Sequence, residues 1–248
     1  MNGQCIAVVS GKGGTGKTSF TAGVGTALAL SGKRVLCLDC DIGLRNLDLA
    51  LGLTDRALMD FSDVAQNRCS LESAVVSHPN VPNLYLLTAP VRMRGPSVTT
   101  LDFRLMLSKV RQQFDYCLLD APAGLGEGFR LAVCAADRCV VVTTQDPSSL
   151  RDAQHTVMEL RAFGPGCLHL VVNRVKKKLL RSMHATIDDA IDKAGLPLIG
   201  VVPEDDALPL ALNRGVPLLL ASYGGAASAY RNIAIRLQGG RVPLLRIK

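Results

Sequence analysis

The chain has 248 residues, of which 48% are hydrophobic and 20% charged. That balance suits a folded α/β body rather than a disordered chain, and no low-complexity tract or internal repeat interrupts it. Lys and Arg outnumber Asp and Glu by 28 to 21, and the net charge of +7 favours anionic partners such as nucleotides, nucleic acids or lipid headgroups without choosing among them.

Met1-Asn2-Gly3-Gln4 has no basic region leading into an apolar run, and the apolar stretches elsewhere fall short of about 20 residues. Secretion and membrane spanning are therefore not expected, and the expected location is cytoplasmic. The cysteines, Cys5, Cys37, Cys40, Cys69, Cys117, Cys134, Cys139 and Cys167, fall mainly in apolar segments, as reduced core thiols do. Cys37 and Cys40 form a CxxC with no second pair, so buried thiols are the expectation over a metal or redox site. His78, His155, His169 and His184 show no ligand spacing.

The first apolar run, Cys5 to Val9, reads as a strand and leads into Ser10-Gly11-Lys12-Gly13-Gly14-Thr15-Gly16-Lys17-Thr18. Small residues from Phe20 to Leu30 then read as a helix ending at Gly32. This is the G-x-x-x-x-G-K-S/T phosphate loop in its strand-loop-helix setting. Its glycines let backbone N–H groups turn toward phosphate oxygens, and the helix aims its positive end at them. Gly11, Lys12, Gly13, Gly14, Thr15, Gly16, Lys17, Thr18 and Ser19 are thus the nucleotide-binding candidates. Lys17 would neutralise phosphate, and the Thr18 hydroxyl would bind Mg²⁺. Lys12 has no assigned role in an ordinary phosphate loop and can also be read as an exposed cation.

Next comes the strand Val35 to Leu38, followed by Asp39-Cys40-Asp41-Ile42-Gly43-Leu44-Arg45-Asn46-Leu47-Asp48. Carboxylates two apart at a strand end can manage Mg²⁺ hydration and an attacking water, or can be solvated turn residues. After Leu84 to Leu87, the run Tyr116 to Leu119 ends in Asp120-Ala121-Pro122-Ala123-Gly124, where Asp120 reads as an acid near Mg²⁺ or as a turn cap. Cys139 to Val142 and Leu168 to Val172 follow, the latter ending in Asn173, whose amide suits an adenine edge. The last run, Leu198 to Val202, leads into Pro203-Glu204-Asp205. Continuous rather than alternating hydrophobicity is what strands buried on both faces require. The expected fold is therefore a three-layer α/β/α of the P-loop NTPase kind with a mostly parallel central sheet. Residues 1–238 are read as one ATPase domain and 239–248 as a short basic and apolar tail.

Lys12-Gly13-Gly14-Thr15-Gly16-Lys17-Thr18 resembles the deviant Walker A motif of the MinD/ParA family of P-loop ATPases. The runs Asp39 to Asp48, Asp120 to Gly124, Ser148-Ser149-Leu150-Arg151-Asp152, Gly200 to Asp206, Asn213-Arg214-Gly215 and Ala229 to Ala234 extend the resemblance and favour its MinD branch. The resemblance implies ATP with Mg²⁺ and an ATP-sandwich homodimer in which Lys12 reaches the partner's nucleotide. It also implies that Asp41 orients the hydrolytic water, that Asp39 supports Mg²⁺ through water and that Asp120 lies near the ion. Asn173 would recognise adenine, and the Pro203, Glu204 and Asp205 backbone would close the base pocket. The function implied is division-site selection by recruiting a septation inhibitor, or another positioning partner, to the membrane. DNA segregation and cytosolic assembly are the alternatives, and Lys176-Lys177-Lys178 reads as a solvated loop ahead of a nucleic-acid contact.

Family members finish in an amphipathic helix that enters the inner leaflet. Here Gly239-Gly240 is followed by Arg241-Val242-Pro243-Leu244-Leu245-Arg246-Ile247-Lys248, too short for an isolated helix to hold. Its Leu, Ile, Arg and Lys residues still form a tail suited to anionic lipid, so peripheral attachment is expected in weakened form.

Overall fold

The computed structural model describes residues 3–92, 97–164, 166–176 and 187–245. Of the residues singled out above, Met1, Asn2, Lys177, Lys178, His184, Arg246, Ile247 and Lys248 lie outside them. The predicted runs are strands, with ends shifted by up to a few residues: β1 (Gln4–Val9), β2 (Val35–Asp39), β4 (Leu84–Leu87), β5 (Tyr116–Asp120), β6 (Arg138–Thr143), β7 (Leu168–Val175) and β8 (Leu198–Pro203). The two-residue β3 (Val76–Ser77) was not foreseen.

Among the described residues these strands form one eight-stranded sheet in the order β3-β4-β2-β5-β1-β6-β7-β8. The sheet is parallel except where β3 runs antiparallel to β4. Both faces are covered, as the unbroken apolar runs require. Along β1, Cys5, Ala7 and Val9 enter one core and Ile6 and Val8 the other. One face is packed by α1 (Lys17–Leu30), α2 (Leu47–Leu51), α9 (Ala207–Asn213), α10 (Leu218–Ala221) and α11 (Gly225–Leu237). The other carries α3 (Phe61–Ala65), α4 (Leu71–Ala74), α5 (Thr100–Gln113), α6 (Glu127–Cys134), α7 (Pro147–Glu159) and α8 (Ile187–Ala194). Cys37 and Cys40 are fully buried thiols.

Helix α1 lacks the side-chain cap that several helices on the opposite face of the sheet have. Asp60, Thr99 and Asp146 cap α3, α5 and α7 with their side chains. Helix α1 starts instead from Gly16, held at φ 86°, with no side-chain cap. Its first N–H groups are left without the acceptor that such a cap supplies, which suits an anion. Parallel strands also bring the ends of β1, β2, β5, β6, β7 and β8 to one edge of the sheet, so every candidate residue that follows a strand arrives there.

After α11 the chain runs on without helix from Gly240 to Leu245. The Arg236 guanidinium donates to the Ile199 carbonyl and to the Val242 carbonyl, the latter at 2.8 Å, and so ties this segment beside β8. Leu245 packs against the core while Leu244 stays exposed. The tail described is thus a docked strap rather than a free helix.

Two glycines in α1 are a packing requirement. A Cβ at Gly23 would lie 2.2 Å from the Tyr230 ring of α11, and one at Gly25 would lie 2.4 Å from Cys37 Sγ. Neither contact can be relieved by a flexible chain end. Gly23→Ala should therefore lower folding stability by about 1–3 kcal/mol in urea unfolding, despite the higher helix propensity of Ala. Unchanged or increased stability would contradict this packing.

Candidate functional site: a phosphate loop beside two buried carboxylates

The loop after β1 is braced from inside. Lys17 Nζ donates to Ser10 Oγ at 2.7 Å, and Ser10 Oγ donates to the Lys12 carbonyl at 2.7 Å. Gly11 lies against α7, where a Cβ would be 2.4 Å from the Asp152 carbonyl oxygen, so no side chain fits there. The Gly124 N–H reaches the Ser10 carbonyl at 3.3 Å, which brings the turn after β5 onto the loop. Among the described residues the buried Thr15 hydroxyl has no hydrogen-bond partner. A buried hydroxyl of that kind, beside uncapped helix N–H groups and a buried lysine, fits a phosphate group.

Asp39 and Asp120 end adjacent strands in register and are both buried. Asp39 accepts from the Asp41 N–H at 2.8 Å and the Leu47 N–H at 3.2 Å, which ties down the loop after β2. Asp120 accepts from the Thr21 hydroxyl at 3.2 Å, and the Thr18 hydroxyl lies near enough to favour its charged form. Burial pushes Asp120 up to about 7, with the Asp39 charge adding to it and Thr18, Lys17 and Thr21 opposing it. Burial likewise pushes Asp39 up to about 6 against the pull of its two backbone donors. Lys17 is driven down by burial and held up by Asp120 and Asp41. Asp41 is raised by burial and lowered by Lys17, so it faces the same lysine.

Two carboxylates and a threonine hydroxyl are a hard-oxygen donor set that fits Mg²⁺. Among the described residues no three His, Cys, Asp or Glu side chains gather into a metal cluster. An ion held by Thr18, Asp39 and Asp120 would therefore complete its shell with phosphate oxygens and water.

A cleft of about 300 Å³ opens beside the loop, lined by Gly16, Ser19, Asn173, Pro203, Glu204 and Asp205 among others. Asn173 Nδ2 donates to the Thr15 carbonyl at 2.8 Å, so the amide turns its oxygen, an acceptor, away from the loop. An acceptor there suits the amino group of adenine and repels the carbonyl of guanine. The Asp205 carboxylate accepts from the N–H groups of Ala207 and Ala226, fixing the starts of α9 and α11, so what Asp205 offers the cleft is backbone.

Arg174 and Tyr230 are among the lining residues not assigned from sequence. A register shift between Val172 and Val175 lets Arg174, at φ 54°, follow Asn173 toward the same loop. Its guanidinium donates to the Gly14 carbonyl at 3.0 Å and pairs with Glu204 at 3.3 Å. Tyr230 forms part of the cleft, with its hydroxyl buried and unpartnered. The position of Arg174 beside Asn173 at a strand end was the available signal. A tyrosine in an alanine-rich helix carries none. Lys176 is paired with Glu204 at 2.9 Å, in keeping with a structural loop.

Lys12 differs from Lys17 in direction. It is exposed, and its Nζ donates at 2.8 Å to Ser148 Oγ at the start of α7. Lys12, Arg174, Lys176, Asp146 and Glu204 line a second cleft of about 370 Å³ on that side of the loop.

Fold, loop and carboxylates together define a P-loop nucleotide-binding protein. Residues 6–218 match the CobQ/CobB/MinD/ParA nucleotide binding domain. The chain is 39% identical over 248 residues to the septum site-determining protein MinD of Bacillus subtilis (strain 168), covering 98% of this chain and 91% of that one. The MinC:MinD cell division protein complex of Aquifex aeolicus superposes with a TM-score of 0.90 at 36% identity, covering 98% of each chain. MinD complexed with Mg-ADP from Pyrococcus horikoshii OT3 superposes at 0.81 and 28% identity, covering 94% of this chain and 95% of that one. The chain belongs to the MinD branch of this family. It is a MinD-type, division-site ATPase that uses ATP and Mg²⁺.

The raised carboxylates set a pH dependence. Asp39 and Asp120 bind protons more tightly folded than at their unfolded value of about 3.9, so the folded state holds more protons between that value and about 6 to 7. Nucleotide-free protein should accordingly lose stability, by up to a few kcal/mol, as pH rises from about 4 to about 7. Asp120→Asn should flatten that slope and raise stability near neutral pH. Urea unfolding across this range tests it, and an equally steep slope in the mutant would contradict the assignment.

Proposed function

We propose that the chain is an ATP-driven dimerising switch that brings a septation inhibitor to the inner face of the cell membrane during division-site selection. Residues 1–238 act as the ATPase domain and 239–248 as the tail. The observation that carries the reading is the division of labour between the two loop lysines. Lys17 is buried against its own loop, whereas Lys12 is exposed and, among the described residues, its ammonium is held by Ser148 alone.

In this reading Lys17 and the backbone from Gly11 to Ser19 bind and neutralise the phosphates. Thr18 and Asp120 hold Mg²⁺, and Asp39 supports it through water. Asp41, beside Lys17, orients the attacking water. Lys12 leaves Ser148 to reach the nucleotide of a second copy, so ATP joins two chains. Asn173 accepts from the adenine amino group, and the backbone of Pro203, Glu204 and Asp205 closes the cleft. Mg²⁺ supplies charge neutralisation of the phosphates when bound.

The relative solved as a MinC:MinD complex supports a septation inhibitor as partner. The +7 charge and the exposed Leu244 support peripheral attachment to anionic lipid. Among the described residues no helix is long and apolar enough to cross a membrane.

Separating the lysines tests the switch. Lys17→Ala should weaken ATP binding by about 100-fold or more, through loss of a buried charge-assisted contact. Lys12→Ala should bind ATP as wild type does yet fail both to dimerise and to hydrolyse. Calorimetry reads the first and light scattering with phosphate release the second. Normal ATP-dependent dimers of Lys12→Ala would refute the role across the interface.

A further inference from the structure

From Ala207 to the last residue the chain contains six basic residues, Arg214, Arg231, Arg236, Arg241, Arg246 and Lys248, and no Asp or Glu. Most of the net charge thus resides in one stretch. Of the four described arginines in it, none forms an ion pair among the described residues. The same stretch is unusually rich in exposed apolar side chains. Tyr223 is 85% exposed, Leu220 41% and Ile235 40%, and Leu30 at the end of α1 is 48% exposed.

These residues are contiguous. Leu30, Leu219, Arg231, Ile235 and Gln238 line a groove of about 260 Å³ between α1, α10 and α11. The Arg231 guanidinium lies 5.4 Å from the centre of the Tyr223 ring and donates to the Tyr223 carbonyl at 3.1 Å, carrying the surface onward to that side chain. Gly240, where the tail begins, sits against Ile235. None of the exposed apolar residues lines the two nucleotide-side clefts.

We propose that this α1/α10/α11 face is itself a membrane-contact surface, taking the headgroup layer of an anionic bilayer independently of insertion by the tail. This rests on the membrane attachment proposed above and names the part of the folded body that carries it. A leucine-lined groove flanked by an exposed Tyr and by Arg231, which has no carboxylate partner among the described residues, matches the headgroup region, which accepts apolar side chains at shallow depth and attracts cations. A mixed-sign rim fixes the register of a protein interface, and among the described residues that line this groove there is Arg231 but no Asp or Glu. The docked tail points the same way. Leu245 is packed on the core, so a tail acting alone must first give up that contact, whereas the body face is already exposed.

The chain has no Trp, which makes the test direct. Tyr223→Trp places a single fluorophore on the face, to be read with ATP present and vesicles of phosphatidylcholine with or without phosphatidylglycerol. The emission should shift to the blue on the anionic vesicles, and added salt should reverse the shift. In parallel, Leu30→Gln combined with Tyr223→Ser should pellet with those vesicles at least about tenfold more weakly than wild type, with ATP affinity and urea stability unchanged. If wild type pellets with ATP while the double variant pellets equally and the Trp emission stays fixed, the face is overturned and attachment by the tail stands. If wild type pellets with neither vesicle, the membrane reading fails and this inference fails with it.

Discussion

Asp39 and Asp120 occupy partnered positions at the ends of β2 and β5, and water scarcely reaches either of them. Two carboxylates so placed repel one another and lose hydration, and burial holds both above the ordinary carboxylate range. The surrounding site compensates for them. Two backbone N–H groups turn in to Asp39, the Thr21 hydroxyl turns in to Asp120 with that of Thr18 nearby, and Lys17 is the one buried cation among the described residues. That lysine is itself disfavoured by burial, so the cluster is balanced without being satisfied. A divalent ion bound there together with phosphate would supply the missing charge and so couple the nucleotide to the loops that leave β2 and β5.

The coupling has a mechanical side. The loop after β2 is fastened to Asp39 through the N–H groups of Asp41 and Leu47, and the turn after β5 touches the phosphate loop through Gly124. On the other flank, the irregularity in β7 sends two successive side chains, Asn173 and Arg174, to carbonyls of the phosphate loop. In a regular strand they would point to opposite faces. In the proposed reading, base recognition and phosphate binding therefore share one braced loop. Arg174 also forms the wall between the base cleft and the cleft that holds Lys12.

Much of this was legible in the sequence because the signals are local. Unbroken apolar runs marked the parallel strands, and the residue after each run marked the edge where the candidate site residues gather. The loop pattern named Lys17 and Thr18, and family resemblance pointed to Lys12, Asp41 and Asn173. The remainder depends on contacts between distant parts of the chain. β3 is too short to leave a pattern. The pairing of Asn173 with Thr15, the buried hydroxyl of Tyr230 and the need for Gly23 beneath that ring each join residues separated by most of the chain. The tail shows the same limit, since its composition suggested a lipid anchor while Arg236 and Leu245 fasten the described part of it to the body.

The central claim is that the buried carboxylate pair needs a cation and phosphate together. Thermal unfolding of the protein with ATP alone, Mg²⁺ alone and both tests it most directly, because a ligand stabilises the fold in proportion to its occupancy of the native state. Little stabilisation by either alone is expected, since bare polyphosphate meets two carboxylates and bare Mg²⁺ lacks its remaining ligands, and a marked rise in Tm is expected with both. Equal stabilisation by ATP in the presence of a chelator would contradict it.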